Sequence, residues 1–224
     1  MTAVATQKGY KGMGMEGPIA RWYEKNMRRD IAEYCKLAER LKAGLPQGGD
    51  VLEVAPGPGF LAIELAKGGN FRVTGLDISR TFIELARQNA SETGVRVDFR
   101  HGNASAMPFA ENSFDLLVCR AAFKNFSEPV KALREMYRVL RSGGTALVAD
   151  LRRDTPVSAV HNYVDGLDVG AINRWMIKAT FRFMLLKRAY TKHEFGQMLA
   201  GIPFRKVEIH ESPEGLGMEV WMTK

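Results

Sequence analysis

The sequence predicts an α/β fold: a doubly wound, seven-stranded sheet, mostly parallel, with one late antiparallel strand and a helical insertion. Three observations carry this. Between about residues 50 and 150, short apolar segments of strand character alternate with segments of helical period. Such alternation specifies a parallel sheet with helices on both faces. The first strand-to-helix turn, Ala55-Pro-Gly-Pro-Gly59, is built for close backbone approach. Near the C-terminus, Arg205–His210 and Met218–Thr223 flank Ser212-Pro-Glu-Gly-Leu-Gly217. That is a hairpin pattern and makes one late strand antiparallel.

In chain order, residues 1–18 are glycine-rich, with Tyr10, Met13 and Met15 as their large apolar groups. They read as a flexible arm able to order over a ligand. From about Trp22 to Lys42, Met27, Ile31, Tyr34, Cys35, Ala38 and Leu41 recur at helical spacing, and Gly44, Pro46, Gly48 and Gly49 end that helix. Asp50–Ala55 is the first strand, Phe60–Gly68 a helix and Phe71–Asp77 the second strand. Ser79 is placed to cap a helix running towards Glu92. Arg96–Arg100 alternates like a third strand, and Phe114–Cys119 is a fourth. Ser127 is expected to cap a helix from about Glu128 to Leu140, after which Gly143-Gly144 turns the chain into a fifth strand, Ala146–Asp150. Arg152–Arg188 holds one or two helices, read either as a packing insertion or as a lid over a substrate pocket. Thr191-Lys-His-Glu194 is a capping box opening a helix to about Leu199. The organisation expected is one domain: arm and helix over 1–45, core over 46–151, helical lid over 152–188, and C-terminal helix with hairpin over 189–224.

Of the 224 residues, 46% are hydrophobic and 25% charged, an ordinary globular balance. The net charge of +7 favours an acidic partner: nucleic acid, an anionic membrane surface or an anionic substrate. The bland alternative is a solvated basic surface. The cations are spread along the chain, in pairs no longer than Arg28-Arg29, Arg152-Arg153 and Lys187-Arg188. Cys35 and Cys119 form no disulfide framework and lack metal-ligand spacing. Neither an apolar leader nor a run long enough to span a bilayer is present, so a soluble protein of the cytoplasm, monomer or homodimer, is expected.

Gly57-Pro-Gly59-Phe-Leu-Ala62 matches the dinucleotide fingerprint, and Asp77 ends the second strand, where a carboxylate can accept from ribose hydroxyls. Alone this permits a nicotinamide or flavin cofactor. A pyrophosphate, however, needs backbone N–H donors at the turn, and Pro56 and Pro58 have none. Glu53 would repel phosphate and suits a cationic ligand.

Leu52-Glu-Val-Ala-Pro-Gly-Pro-Gly59 resembles the first motif of class I S-adenosylmethionine-dependent methyltransferases. Ala55 stands where that family has its first glycine, a change that strains the loop if φ there is positive. Gly75-Leu-Asp-Ile-Ser79 resembles the family's ribose-binding acidic loop. Gly102-Asn-Ala-Ser-Ala-Met-Pro-Phe109 resembles its adenine motif, with Asn103 where Asp is usual. Ser113–Arg120 resembles its fourth strand, and Glu135–Gly144 resembles the run that follows, with Ser142 where proline is usual. Phe123-Lys-Asn-Phe126 resembles the C-methyltransferases of ubiquinone and menaquinone biosynthesis.

The resemblance implies a Rossmann-like fold, S-adenosyl-L-methionine as cofactor with S-adenosyl-L-homocysteine as product, no metal, and a small-molecule acceptor. It implies a cofactor site at Glu53, Ala55, Gly57, Gly59, Asp77, Ile78, Asn103, Ala104 and Arg120, the last mainly through its backbone. Tyr10 and Tyr23 are candidates to close over the cofactor, with core packing the alternative for Tyr23. Phe123, Asn125 and Trp175 are the expected acceptor pocket. His161, Tyr163 and Asp165, and also His193, are candidate bases for a phenol or enol acceptor. Three other readings stay open. An RNA methyltransferase fits the charge, but Cys119-Arg-Ala-Ala-Phe123 stands where base-modifying enzymes carry N-P-P-[YF]. A nicotinamide oxidoreductase fits the fingerprint alone. A binding module without catalysis would keep the same fold.

Overall fold

The computed structural model describes residues 9–11, 14–167, 169–212 and 215–224; the first eight residues of the expected arm, and Met13, lie outside them. Strands β1 (Gly49–Val54), β2 (Phe71–Asp77), β3 (Asp98–His101), β4 (Phe114–Arg120), β5 (Leu140–Leu151), β6 (Lys206–Glu211) and β7 (Gly217–Thr223) form one sheet. Their order is β3-β2-β1-β4-β5-β7-β6. The pairs from β3 across to β5 are parallel, and β7 runs antiparallel between β5 and β6. The hairpin thus supplies one antiparallel strand.

The core follows from the alternation of side chains along buried strands. In β1, Leu52 and Val54 join Leu117, Val148 and Val220 on one face. Leu133 and Met136 of α5 (Pro129–Val139) and Phe195 of α9 (Lys192–Leu199) cover that face. Val51 and Val118 point to the other face, under α2 (Ile31–Ala43), α3 (Phe60–Ala66) and α4 (Arg80–Thr93). Ser79 caps α4 as expected: its Oγ accepts from Phe82 N–H at 3.0 Å. Thr191 and Glu194 complete both halves of their capping box.

Three local expectations are corrected. The single helix expected over Trp22–Lys42 is two, α1 (Gly17–Met27) and α2, separated by a 3-10 turn at Arg28–Asp30. The two halves serve different partners. Ala20 of α1 packs on Phe82 and Leu85 of α4, whereas Leu37, Ala38 and Leu41 of α2 pack into the main core. Ser127 is not the cap: its Oγ is buried without a partner among the described residues, and the helix starts at Pro129, whose fixed φ suits a first helical position. Gly143-Gly144 lies inside β5, which starts at Leu140, directly after α5. The register to β4 shifts between Phe114 and Leu116. Gly143 has φ +79°, and a Cβ on Gly144 would stand 2.9 Å from Arg141 O.

Between residues 152 and 188 lie α6 (Val157–Asp165), α7 (Ala171–Thr180), one π turn (Phe181–Leu185) and α8 (Leu186–Arg188). Val160 and Val164 of α6 pack with Leu216, Ile177, Phe181 and Leu186.

Candidate active site

Strand order reverses between β1 and β4, and the carboxyl ends of strands at such a switch point frame the cleft of an open α/β sheet. The turn after β1 forms its floor. Ala55, Gly57 and Gly59 have φ of +58°, +54° and +82°. For Ala55 this is the strained alternative, because an L side chain there crowds its own backbone; its N–H nevertheless donates to Leu76 O at 2.8 Å. Gly59 is fixed by packing, since a Cβ would sit 2.8 Å from Phe99 Cζ and 2.9 Å from Ala86 Cβ. At Gly57 a Cβ would meet nothing within 4 Å, so the turn faces open space there.

Two carboxyl groups flank that turn. Glu53, in β1, is 3% exposed and accepts from Ala62 N–H, while its Oε2 has no partner among the described residues. Burial pushes its pKa up to about 8, against the pull of the Arg120 guanidinium. Asp77, ending β2, is buried too, and burial raises it to about 6. Its Oδ2 accepts from Gly57 N–H at 3.0 Å and its Oδ1 from Ser79 N–H at 2.8 Å. Asp77 therefore ties the β1 turn to the α4 cap and keeps lone pairs towards the cleft.

Around these carboxyl groups the structure gathers most of the expected cofactor residues. Ile78 is exposed at the rim, with its carbonyl 3.0 Å from His101 Nε2. Asn103 Oδ1 accepts from Ser105 N–H at 2.9 Å, a turn bond that occupies one lone pair of the oxygen, and Ala104 packs against the core. Arg120 ends β4, at the strand-order switch, and places its guanidinium 4.6 Å from the Tyr34 ring centre. Tyr23 packs edge-on against Phe82 at 5.8 Å, in the cluster of Ala20 and Leu85, which is the core-packing alternative; burial raises its pKa.

The described residues of the arm lie against the rest of the protein. Tyr10 bridges Phe126, and Lys11 N–H donates to Asn125 O at 2.7 Å. A Cβ on Gly9 would lie 2.5 Å from Ile78 Cδ1 and 2.8 Å from Asn103 Nδ2, so the strand crosses directly over the rim. Farther on, Glu16 accepts from Arg80 and Thr81 N–H at 2.9 and 3.0 Å, and Ser79 Oγ donates to Met15 O at 2.6 Å. Nothing in the sequence marks Gly9 or Glu16, whose partners lie more than sixty residues away. Lys124 and Asp150 were also not singled out for each other. They form a buried ion pair at 2.8 Å, and Asp150 Oδ2 accepts from Lys124 N–H, pinning the turn beyond β4. Asp150 at the end of one apolar strand and Lys124 beyond the end of its neighbour were the available signal.

The expected acceptor residues do not converge. Phe123 is fully buried, its ring against Phe126, Tyr190 and Phe195, so it is a core residue and not a pocket wall. Asn125 lies under the arm, and Trp175 is 71% exposed on α7. His161 is exposed, and Tyr163 stands edge-on to Phe181 at 5.9 Å. Asp165 accepts from Lys178 Nζ at 2.9 Å, and that contact lowers its pKa, which makes it a poor base. His193 pairs with Gln197 on the surface. Among the described residues no group of three His, Cys, Asp or Glu is placed to hold a metal, and no helix is long and apolar enough to cross a membrane.

A partnerless buried carboxyl oxygen, an open glycine beside it and a second carboxylate at the neighbouring strand end fit a ligand with one cationic end and a hydroxylated sugar. The family model described as "Methyltransferase domain" matches residues 52–148. The Ubiquinone/menaquinone biosynthesis C-methyltransferase UbiE of Klebsiella pneumoniae is 27% identical over 78% of this chain and 73% of its own length. That of Bdellovibrio bacteriovorus is 36% identical over 54% of this chain and 53% of its own. Apart from the first, the chain spans about half the length of the curated relatives it matches. The crystal structure of an S-adenosyl-L-methionine-dependent methyltransferase candidate from Methanococcus maripaludis superposes with a TM-score of 0.75 at 22% identity, covering 96% of this chain and 95% of that one.

Proposed function

We propose that this chain, whose residues 52–148 match the methyltransferase domain model, is a class I S-adenosylmethionine-dependent methyltransferase and transfers a methyl group from S-adenosyl-L-methionine to a small-molecule acceptor. The observation that carries the reading is the buried Glu53 carboxyl, whose Oε2 has no partner among the described residues, in the strand that leads into the open turn at Gly57. A buried polar atom without a partner costs free energy, and a cationic ligand group relieves it. Glu53 is assigned to the amino-acid end of the cofactor, through its ammonium group directly or by way of water. Asp77 is assigned to the ribose hydroxyls, Ile78 to the adenine face, and the free lone pair of Asn103 Oδ1 to the adenine amino group. The arm at Gly9 closes the adenine end.

When bound, the cofactor supplies an electrophilic methyl on a sulfonium. An acceptor would take that methyl by in-line displacement, its electron pair forming the new bond, the methyl–sulfur pair staying with sulfur and a proton leaving the acceptor. The chain's part is alignment and exclusion of water. The relatives are named for C-methylation in ubiquinone and menaquinone biosynthesis. A hydroxylated quinone-type ring is accordingly the acceptor class we assign first, with residues 152–188 as the lid over it.

Incubation with methyl-labelled cofactor and separate pools of quinone-type phenols, other phenols, thiols, amines and total RNA tests the reading. Label on a ring carbon of the quinone-type pool is expected. Label confined to RNA would replace the reading with nucleic-acid methylation, and cofactor binding with no transfer to any pool would reduce it to a binding module.

A further inference from the structure

Residues 171–188 contain five cations, Arg174, Lys178, Arg182, Lys187 and Arg188, and no acidic residue. They form one continuous helical rod from α7 through the π turn into α8. Its inner face is accounted for, because Ile177, Phe181 and Leu186 pack on Val160 and Val164. The outer face is not. Ile172, Trp175, Met176 and Phe183 are 76%, 71%, 54% and 60% exposed, with Met184 at their margin. Positions 172, 175, 176 and 183 fall on one side of a helix, so these side chains make a stripe and not a scatter. A helix apolar on two faces has a partner for each, and contiguous exposed apolar surface of this kind marks an interaction site.

Charge decides which partner. Arg182 and Lys187 are exposed and lie 5.7 and 5.8 Å from the centre of the Phe183 ring, so cations rim the stripe. In an isologous contact with a second copy, the stripe would meet itself and set these cations against their own copies with no carboxylate from the rod between them. A nucleic acid would satisfy the charge, but single-stranded binding surfaces use aromatic planes for stacking. In this stripe Trp175 and Phe183 offer such planes, but Ile172, Met176 and Met184 beside them do not. Aliphatic groups, an interfacial Trp and a cationic rim are together the chemistry of a helix lying in a headgroup boundary. We propose that the 171–188 rod is a docking face for a lipid bilayer bearing anionic headgroups, with the stripe buried at the boundary and Arg182 and Lys187 on the headgroups. The net charge of +7 draws the chain towards such a surface before contact.

Docking is independent of the transfer chemistry and is measured without cofactor or acceptor. The full chain is sedimented with vesicles of phosphatidylcholine alone and of phosphatidylcholine with phosphatidylglycerol, at low and high salt. Binding to the anionic vesicles, weakened by salt, is expected. Arg182→Glu with Lys187→Glu should lower partitioning by about tenfold or more, from the contribution of each cation near an anionic surface. Trp175→Ser with Phe183→Ser should lower it comparably while the thermal melt stays that of the wild type, because both side chains are exposed. Equal sedimentation with and without anionic lipid would overturn the proposal. So would unchanged binding in both folded variants, or a shift of single-stranded RNA without vesicle binding. A dimer dissolved by Trp175→Ser would assign the stripe to a second copy and would also overturn it.

Discussion

Glu53→Gln isolates the carboxyl group that the fold leaves with a free oxygen. Its pKa rises from 4.5 to about 8 on burial. An acid raised on folding binds more protons in the native than in the unfolded state, so stability falls as pH rises between the two values. Asp77 has the same sign over a lower window, from 3.8 to about 6. The interval from pH 6 to 8 therefore belongs mainly to Glu53. At about 1.4 kcal/mol per pH unit, tapering as the group's own pKa is reached, Glu53 costs about 2 kcal/mol across that interval. Glutamine has the same shape, can still accept from Ala62 N–H and does not titrate. Urea unfolding at pH 6, 7 and 8 should show the wild type losing about 2 kcal/mol relative to the variant, with the variant the more stable at pH 8. Stability would thus be traded for a site that binds a cation. Parallel stability curves for the two proteins from pH 6 to 8 would refute the burial argument.

Ala55→Gly should stabilise the fold by about 0.5–1 kcal/mol in the same assay, because φ of +58° strains alanine by more than glycine's extra chain entropy; a loss of stability would show that the turn is not left-handed. Lys124→Met should destabilise by about 3–5 kcal/mol, since it strands Asp150 in an apolar site. Adding Asp150→Leu should recover much of that loss, and a double variant no better than the single would locate the defect elsewhere. Thr191→Ala removes one half of the capping box and should cost about 1 kcal/mol in a thermal melt.

What the sequence made legible was local. Ser79 and Thr191 sit one residue before amphipathic runs, and both cap them. Ser127 looked alike, but Glu128 and Pro129 follow it, and the proline starts the helix one residue later than a serine cap requires. The break at Arg28–Asp30 was invisible because the apolar period continues through it; only the change of partner, from α4 to the main core, divides the helix. The glycines at 143 and 144 read as a turn because the sequence does not show that β5 carries extra residues, 141–144, against β4 there. Within the cleft, Glu53, Gly57 and Asp77 were legible because strand ends and the turn between them fix their neighbourhood. Gly9 on Ile78, Glu16 on α4 and Lys124 on Asp150 were not, since each depends on contacts set by the closed tertiary structure. Phe123 was misassigned for the same reason: it follows the strand that ends at the cleft, yet Phe195 from the far end of the chain encloses it.

Calorimetric titration of the purified protein with S-adenosyl-L-methionine decides whether the cleft takes this cofactor. One site per chain is expected, weakened at least about tenfold in Asp77→Ala by loss of a charge-assisted bond, and weakened likewise in Glu53→Gln although that variant is the more stable at pH 8. No heat with S-adenosyl-L-methionine, together with saturable binding of a nicotinamide dinucleotide, would contradict it.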